Sequence, residues 1–187
     1  MTPTYVRLHA PMVCSLLLPL LLLIALLAIH SPSPTRAAES LPFQVYLPHV
    51  VTIGASPEQR VVALTNELRQ QYGCPTVQIA PELMTAARAH SEEMADHDYF
   101  DHIDLSGHRS AWRLQQAGYL GTASAENIAA GTSTPEQVVE IWSTEMPPND
   151  GHRQNMLNCS FTEIGVGYAT NANSVYKTYW TQVFGTR

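Results

Sequence analysis

The chain has 187 residues, 45% of them hydrophobic and 14% charged, with 10 basic and 16 acidic residues and a formal charge of −6 at pH 7. That length accommodates one domain plus a leader. With no basic patch, the composition excludes partners recognised through positive charge, such as nucleic acid or an anionic membrane surface.

At the N-terminus, Arg7 precedes a leucine-rich, charge-free run from Ser15 to Ile29, and SPSPTRAAES follows with small residues around Ala37. This is the layout of a secretory signal peptide over residues 1–37. The competing reading is an uncleaved anchor, the one route to a membrane here, because the run approaches the lower limit for a span. Cleavage after Ala37 would remove Arg7 and Arg36, taking the formal charge from −6 to −8 and leaving Lys177 as the sole lysine. Residues 38–56 mix prolines with the apolar string FQVYLPHVV and read as a linker or edge-strand-like arm. The domain proper is residues 57–187.

Ser56-Pro57 supplies a helix start, Val61, Leu64, Thr65 and Leu68 follow at helical spacing, and Gly73 closes the segment. A second helix starts at Pro81 and runs to about Asp96, with Leu83, Ala87, His90 and Met94 on one face. A third spans Ser110 to Gln116 before Gly118. A fourth starts at Thr134-Pro135 and places Val138, Ile141, Trp142 and Glu145 along one stripe. Strand signals lie in Ala125–Ala129, Glu163–Thr170 and Ser174–Phe184, the last two joined by a hairpin-like turn at Asn171-Ala172-Asn173. Helices flanking a small, mainly antiparallel sheet define the α+β class.

Cys74 and Cys159 lie beyond the leader, and an even count in an exported domain reads as a disulfide, with two buried free thiols as the alternative. His90, on an apolar helix face, reads as a hydrogen-bonded core residue, while His97 and His108 read as exposed or helix-end positions. Trp142 and Trp180 read as core anchors. No GxSxG elbow, P-loop or GxGxxG occurs. Nothing selects Ser106, Ser110 or Ser124 as a nucleophile.

Four residues carry the candidate chemistry: His102 in YFDH, Glu126 in AENIA, Glu145 in WSTE and His152 in GHRQNML. Two imidazoles and two carboxylates can bind a divalent ion or move protons if the fold brings them together. In their order, with EIGVGYA and YWTQVFG following, these strings resemble the CAP superfamily (SCP or PR-1-like secreted proteins, bacterial type) from about Glu58 to Phe184. The resemblance implies a three-layer α-β-α sandwich with a cleft above the sheet, in which His102 and His152 are metal ligands, often for zinc, with Glu126 and Glu145 nearby. WSTE fits a Trp-x-x-Glu pattern of eukaryotic relatives, whereas many bacterial relatives shorten this stretch and lack the acid. The leading expectation is a secreted, non-catalytic binding protein whose cleft takes a divalent metal or small ligand, its partner being a small molecule, a lipid or a protein. Two alternatives stand beside it: a metal-assisted hydrolase or peptidase with Glu126 or Glu145 as general base, and a carrier of lipid or sterol. A metal-free network of Glu–His hydrogen bonds is the structural counterpart of all three.

Overall fold

In the computed structural model, residues 54–187 are described; the leader and nearly all of the arm lie outside the described residues. Helix α1 (Pro57–Gln71) begins where the sequence places it, because the Ser56 hydroxyl accepts from the Gln59 N–H while the Gln59 side chain accepts from the Ser56 N–H. Gly73, at φ +76°, turns the chain out of the helix toward Cys74. Strand β1 (Gln78–Ile79) leads into α2 (Pro81–His97). Then come α3 (Ser110–Gln116), β2 (Ala123–Ala130), α4 (Pro135–Ser143), α5 (Gly151–Met156), β3 (Glu163–Thr170) and β4 (Thr178–Thr186).

The strands form one sheet in the order β1-β3-β4-β2, parallel between β1 and β3 and antiparallel elsewhere. Alternation along the strands sorts the side chains into two cores. Ile164 and Val166 of β3 join Trp180 and Phe184 of β4 under α1 and α4, where Val61, Val138, Trp142 and Met156 complete the larger cluster. On the opposite face Val183 packs with Leu83 and Ala87 of α2 and Leu114 of α3. Helices therefore cover both faces, and the α-β-α sandwich is realised. Trp142 and Trp180 are both fully buried anchors.

Helix α2 lies directly on the sheet because β3 presents Gly165 and Gly167 beneath it. A Cβ at Gly165 would stand 2.1 Å from the Leu83 carbonyl carbon, and one at Gly167 would stand 2.2 Å from the Ala87 oxygen. Backbone cannot rotate away as a flexible side chain can, so α2 itself would have to lift. Gly167→Ala is expected to cost about 1–3 kcal/mol in urea unfolding; an unchanged midpoint would show that α2 shifts freely on the sheet.

Three sequence expectations need correction. The fourth helix does not carry Glu145: α4 ends at Ser143, and Ile141 is exposed rather than part of a buried stripe. Pro147-Pro148 follows close behind and keeps the chain from continuing the helix, whose last turn closes with the Thr144 N–H and the Ser143 and Thr144 hydroxyls all donating to the Glu140 carbonyl. The last strand begins at Thr178, four residues later than expected, because Asn171–Lys177 form a loop closed by the Asn171 N–H to Lys177 carbonyl bond and by Ser174. Neither α5 nor the two-residue β1 is expected from the sequence.

The disulfide expected from cysteine count forms, joining Cys74 after α1 to Cys159 after α5 across a separation of 85 residues. Buried Arg69 reinforces the same junction by donating to the carbonyls of Pro75, Met156, Asn158 and Phe161.

Candidate functional site

Strand β2 is an edge strand, and the four candidate residues sit along it as two pairs. Glu126 lies on β2, opposite Val183 of β4, and shares the sheet face covered by α2 and α3. Its carboxylate is almost fully buried, with one oxygen 2.9 Å from His102 Nδ1 and the other accepting from Arg113 Nη2 at 2.6 Å. His102 comes from the loop between α2 and α3, and Arg113 fixes that loop by donating to the carbonyls of His102 and His108. Asp104 braces it further, accepting from the Ser106 and His108 N–H groups and lying 3.7 Å from Arg113.

Burial pushes the Glu126 carboxyl up, but the hydrogen bond to His102 and the Arg113 charge outweigh it and hold the group below the ordinary glutamate range. Glu126 is therefore a firmly ionised acceptor and a weak base.

The second pair is Glu145 and His152. Past the end of α4, Glu145 turns back so that one carboxylate oxygen accepts from the His152 N–H at 3.0 Å and the other meets His152 Nδ1 at 2.5 Å. The acid whose approach the sequence made least secure thus engages its histidine from the loop. His152 itself is on α5, which is stitched to β2 by two asparagines. Asn127 donates to the His152 carbonyl and the Gln182 side chain, while Asn155 donates to Asn127 Oδ1 and the Glu126 carbonyl. Trp142 Nε1 caps the Ile128 carbonyl. The side chains of α4 and α5 thereby occupy outward acceptors of the β2 edge, which would otherwise invite strand pairing.

In each pair the carboxylate takes Nδ1, and among the described residues neither Nε2 has a protein partner. Both rings are part-exposed, at 42% for His102 and 31% for His152. The two pairs remain separate in one respect: among the described residues no cluster of three or more His, Cys, Asp or Glu side chains is close enough to hold an ion by itself. Beside His102 lies a hollow of about 270 Å³ lined by Arg109, Ser110, Ser124 and Glu126. Sequence reasoning missed Arg113, Asp104, Asn127 and Asn155. Both asparagines stood inside the strings that carried the histidine and glutamate, but the buried arginine had no local signal.

The remaining histidines divide as follows. His90 is a buried, hydrogen-bonded core residue, and His97 is exposed at the end of α2. His108 is half-buried and stacks on Trp112 with ring centroids 3.8 Å apart.

Residues 62–184 match the sequence model of the Cysteine-rich secretory protein family, CAP. The chain is 40% identical over 127 residues to the uncharacterized protein YkwD of Bacillus subtilis strain 168, a match covering 68% of this chain and 46% of that protein. It spans less than half the length of that protein, and at 29% identity it covers 35% of the uncharacterized membrane protein YlbC of the same organism. Among solved structures, an extracellular protein containing a SCP domain from Bacillus anthracis superposes with a TM-score of 0.61 at 30% identity, covering 70% of this chain and 40% of that one. An outer surface protein of Borrelia burgdorferi shares the fold with a TM-score of 0.60 at 19% identity, covering 68% of this chain and 90% of that one. With its family-model match, its sandwich and its ordered motifs in agreement, this chain belongs to the CAP family.

Proposed function

We propose that this is an exported binding protein whose paired His/Glu groups along β2 take a divalent cation, zinc being the ion the donors suit best, and through it a small ligand. The observation that carries the reading is the repeated polarity of the pairs: each glutamate engages Nδ1 and leaves Nε2 available. A carboxylate behind the imidazole fixes the tautomer in which Nε2 holds the lone pair and strengthens it as a ligand. His102 and His152 would hold the ion, with Glu126 and Glu145 orienting them. Such an ion would polarise a bound carbonyl, carboxylate or water. Two side-chain donors leave the other positions to water or to a ligand, so ion and ligand would bind in a coupled way.

Binding is favoured over general-base hydrolysis because both oxygens of Glu126 are engaged and its basicity is lowered. Export is supported by the disulfide, which persists in oxidising compartments, and by the leader-like N-terminal sequence. The Bacillus anthracis relative is described as extracellular. Among the described residues no helix is long and apolar enough to cross a membrane.

Calorimetric zinc titration tests the reading. Glu126→Gln and Glu145→Gln are each expected to weaken binding about 10–100-fold, and the double His102→Ala, His152→Ala variant should lose it. Equal affinity in the wild type and the double histidine variant would leave the pairs as structural hydrogen bonds. Turnover on ester or peptide panels that disappears in folded Glu126→Gln would move the protein to the hydrolases.

A further inference from the structure

A cavity of about 470 Å³ lies on the far side of Arg113, between α2 and α3. That volume is within the range of small-molecule sites, about 300–1,000 Å³. Ala86, Ala89, Ala117 and the Trp112 indole supply apolar walls, and the ionisable groups among its polar lining are His90, Glu93, Asp104 and Arg113.

His90 is the unusual member. Its side chain is completely buried, and its Nε2 stands 3.0 Å from the Asp101 carbonyl oxygen. A carbonyl only accepts, so Nε2 carries the proton and the neutral ring presents a lone pair at Nδ1. Burial, aided by the Arg113 charge, lowers the His90 pKa and keeps the ring neutral. Nδ1 has no partner, although a buried polar atom normally finds one.

Glu93 Oε2 lies 3.9 Å from that lone pair, too far for direct bonding, and already accepts from the Tyr99 hydroxyl at 2.7 Å. Two acceptors thus face each other with no donor between them. The charged groups around the cavity are two carboxylates, Glu93 and Asp104, against one guanidinium, and Arg113 already spends its charge on Glu126 and Asp104. A group that fills this place must donate more than one hydrogen bond and is favoured if it carries positive charge. An anion would meet two carboxylates and an acceptor lone pair.

We propose that this cavity is a second ligand site, specific for a primary ammonium group on a short aliphatic or aromatic body. The ammonium bridges His90 Nδ1 and Glu93, and the body lies against Trp112 and the alanines. Trp112 is 42% exposed at the rim, where an indole face also favours a passing cation.

The test uses the full chain and n-hexylammonium chloride, with calorimetry and the His90 ring nitrogen shifts as readouts. One saturable site is expected with a dissociation constant below roughly 1 mM. Hexan-1-ol, which lacks the charge, and trimethylhexylammonium, which lacks the N–H donors, should bind at least about tenfold more weakly. Glu93→Gln should weaken hexylammonium by a similar factor of about ten or more. Ala89→Phe, at an exposed position of α2, should fill the cavity and abolish binding while near-ultraviolet circular dichroism reports an intact fold. Any of three results would overturn the proposal: no saturation below roughly 10 mM, unchanged binding in Ala89→Phe, or His90 shifts that do not follow the titration. The first, with native-like His90 signals, would mean that one water bridges His90 and Glu93.

Discussion

Arg113→Met is expected to destabilise the domain by roughly 3–5 kcal/mol, because removing one partner of a buried ion pair leaves an uncompensated charge. The arginine is 8% exposed and the two carboxylates it faces are exposed by 5% and 7%, so water cannot screen the loss. The substitution also withdraws donors from the His102 and His108 carbonyls, so the His102 loop should loosen with it. The pH dependence has a definite sign. Burial raises both the Glu126 and Asp104 carboxyls, but their hydrogen bonds and nearby positive charges win, and both fall below the ordinary range. Groups depressed in the folded state contribute stability that is fully present above the unfolded carboxylate pKa, about 4, and disappears as pH falls through the folded values. The gap between wild type and Arg113→Met should therefore narrow as pH is lowered from 7 toward 3. Urea unfolding across that range checks it; a gap below about 1 kcal/mol at pH 7 would show that the pair contributes no more than a surface bridge.

What the sequence made legible was whatever local chemistry decides. Ser56-Pro57 and Thr134-Pro135 start helices by capping bonds that span three residues, so their positions needed no tertiary knowledge. The end of α4 is not legible in the helical spacing of Val138, Ile141, Trp142 and Glu145, which runs past it, whereas the chain leaves the helix at Thr144 ahead of Pro147-Pro148. His102, Glu126 and His152 stand out through their strings, and each meets a carboxylate or imidazole. Their arrangement as two pairs, however, depends on Arg113 and on Asn127 and Asn155, whose bonds to the site cross 11 to 29 positions of chain. Gly165 and Gly167 likewise read as ordinary residues of a strand, and only the approach of α2 explains why no side chain fits there.

Removing the disulfide should lower stability by about 4–5 kcal/mol at most, since the bridge closes most of the domain and acts mainly on the unfolded chain. The native junction should nevertheless keep its shape. Arg69 holds the same two segments together through four carbonyls, and the Asn66 side chain pairs with both the N–H and carbonyl of Val77 nearby. The two restraints therefore work on opposite sides of the folding equilibrium: the disulfide limits the unfolded ensemble, and the arginine satisfies buried acceptors in the folded one. Cys74→Ala, Cys159→Ala protein should unfold at a lower urea midpoint with a steeper dependence on denaturant, because its unfolded chain expands further. Its His102 and His152 ring signals should be unchanged. Adding Arg69→Met in that background should cost about 3–5 kcal/mol more, enough to unfold a domain of ordinary stability, about 5–15 kcal/mol in total, at its marginal end. If the double-cysteine variant instead loses the native His102 and His152 signals while still folded, the bridge shapes the site directly and Arg69 alone cannot hold the junction.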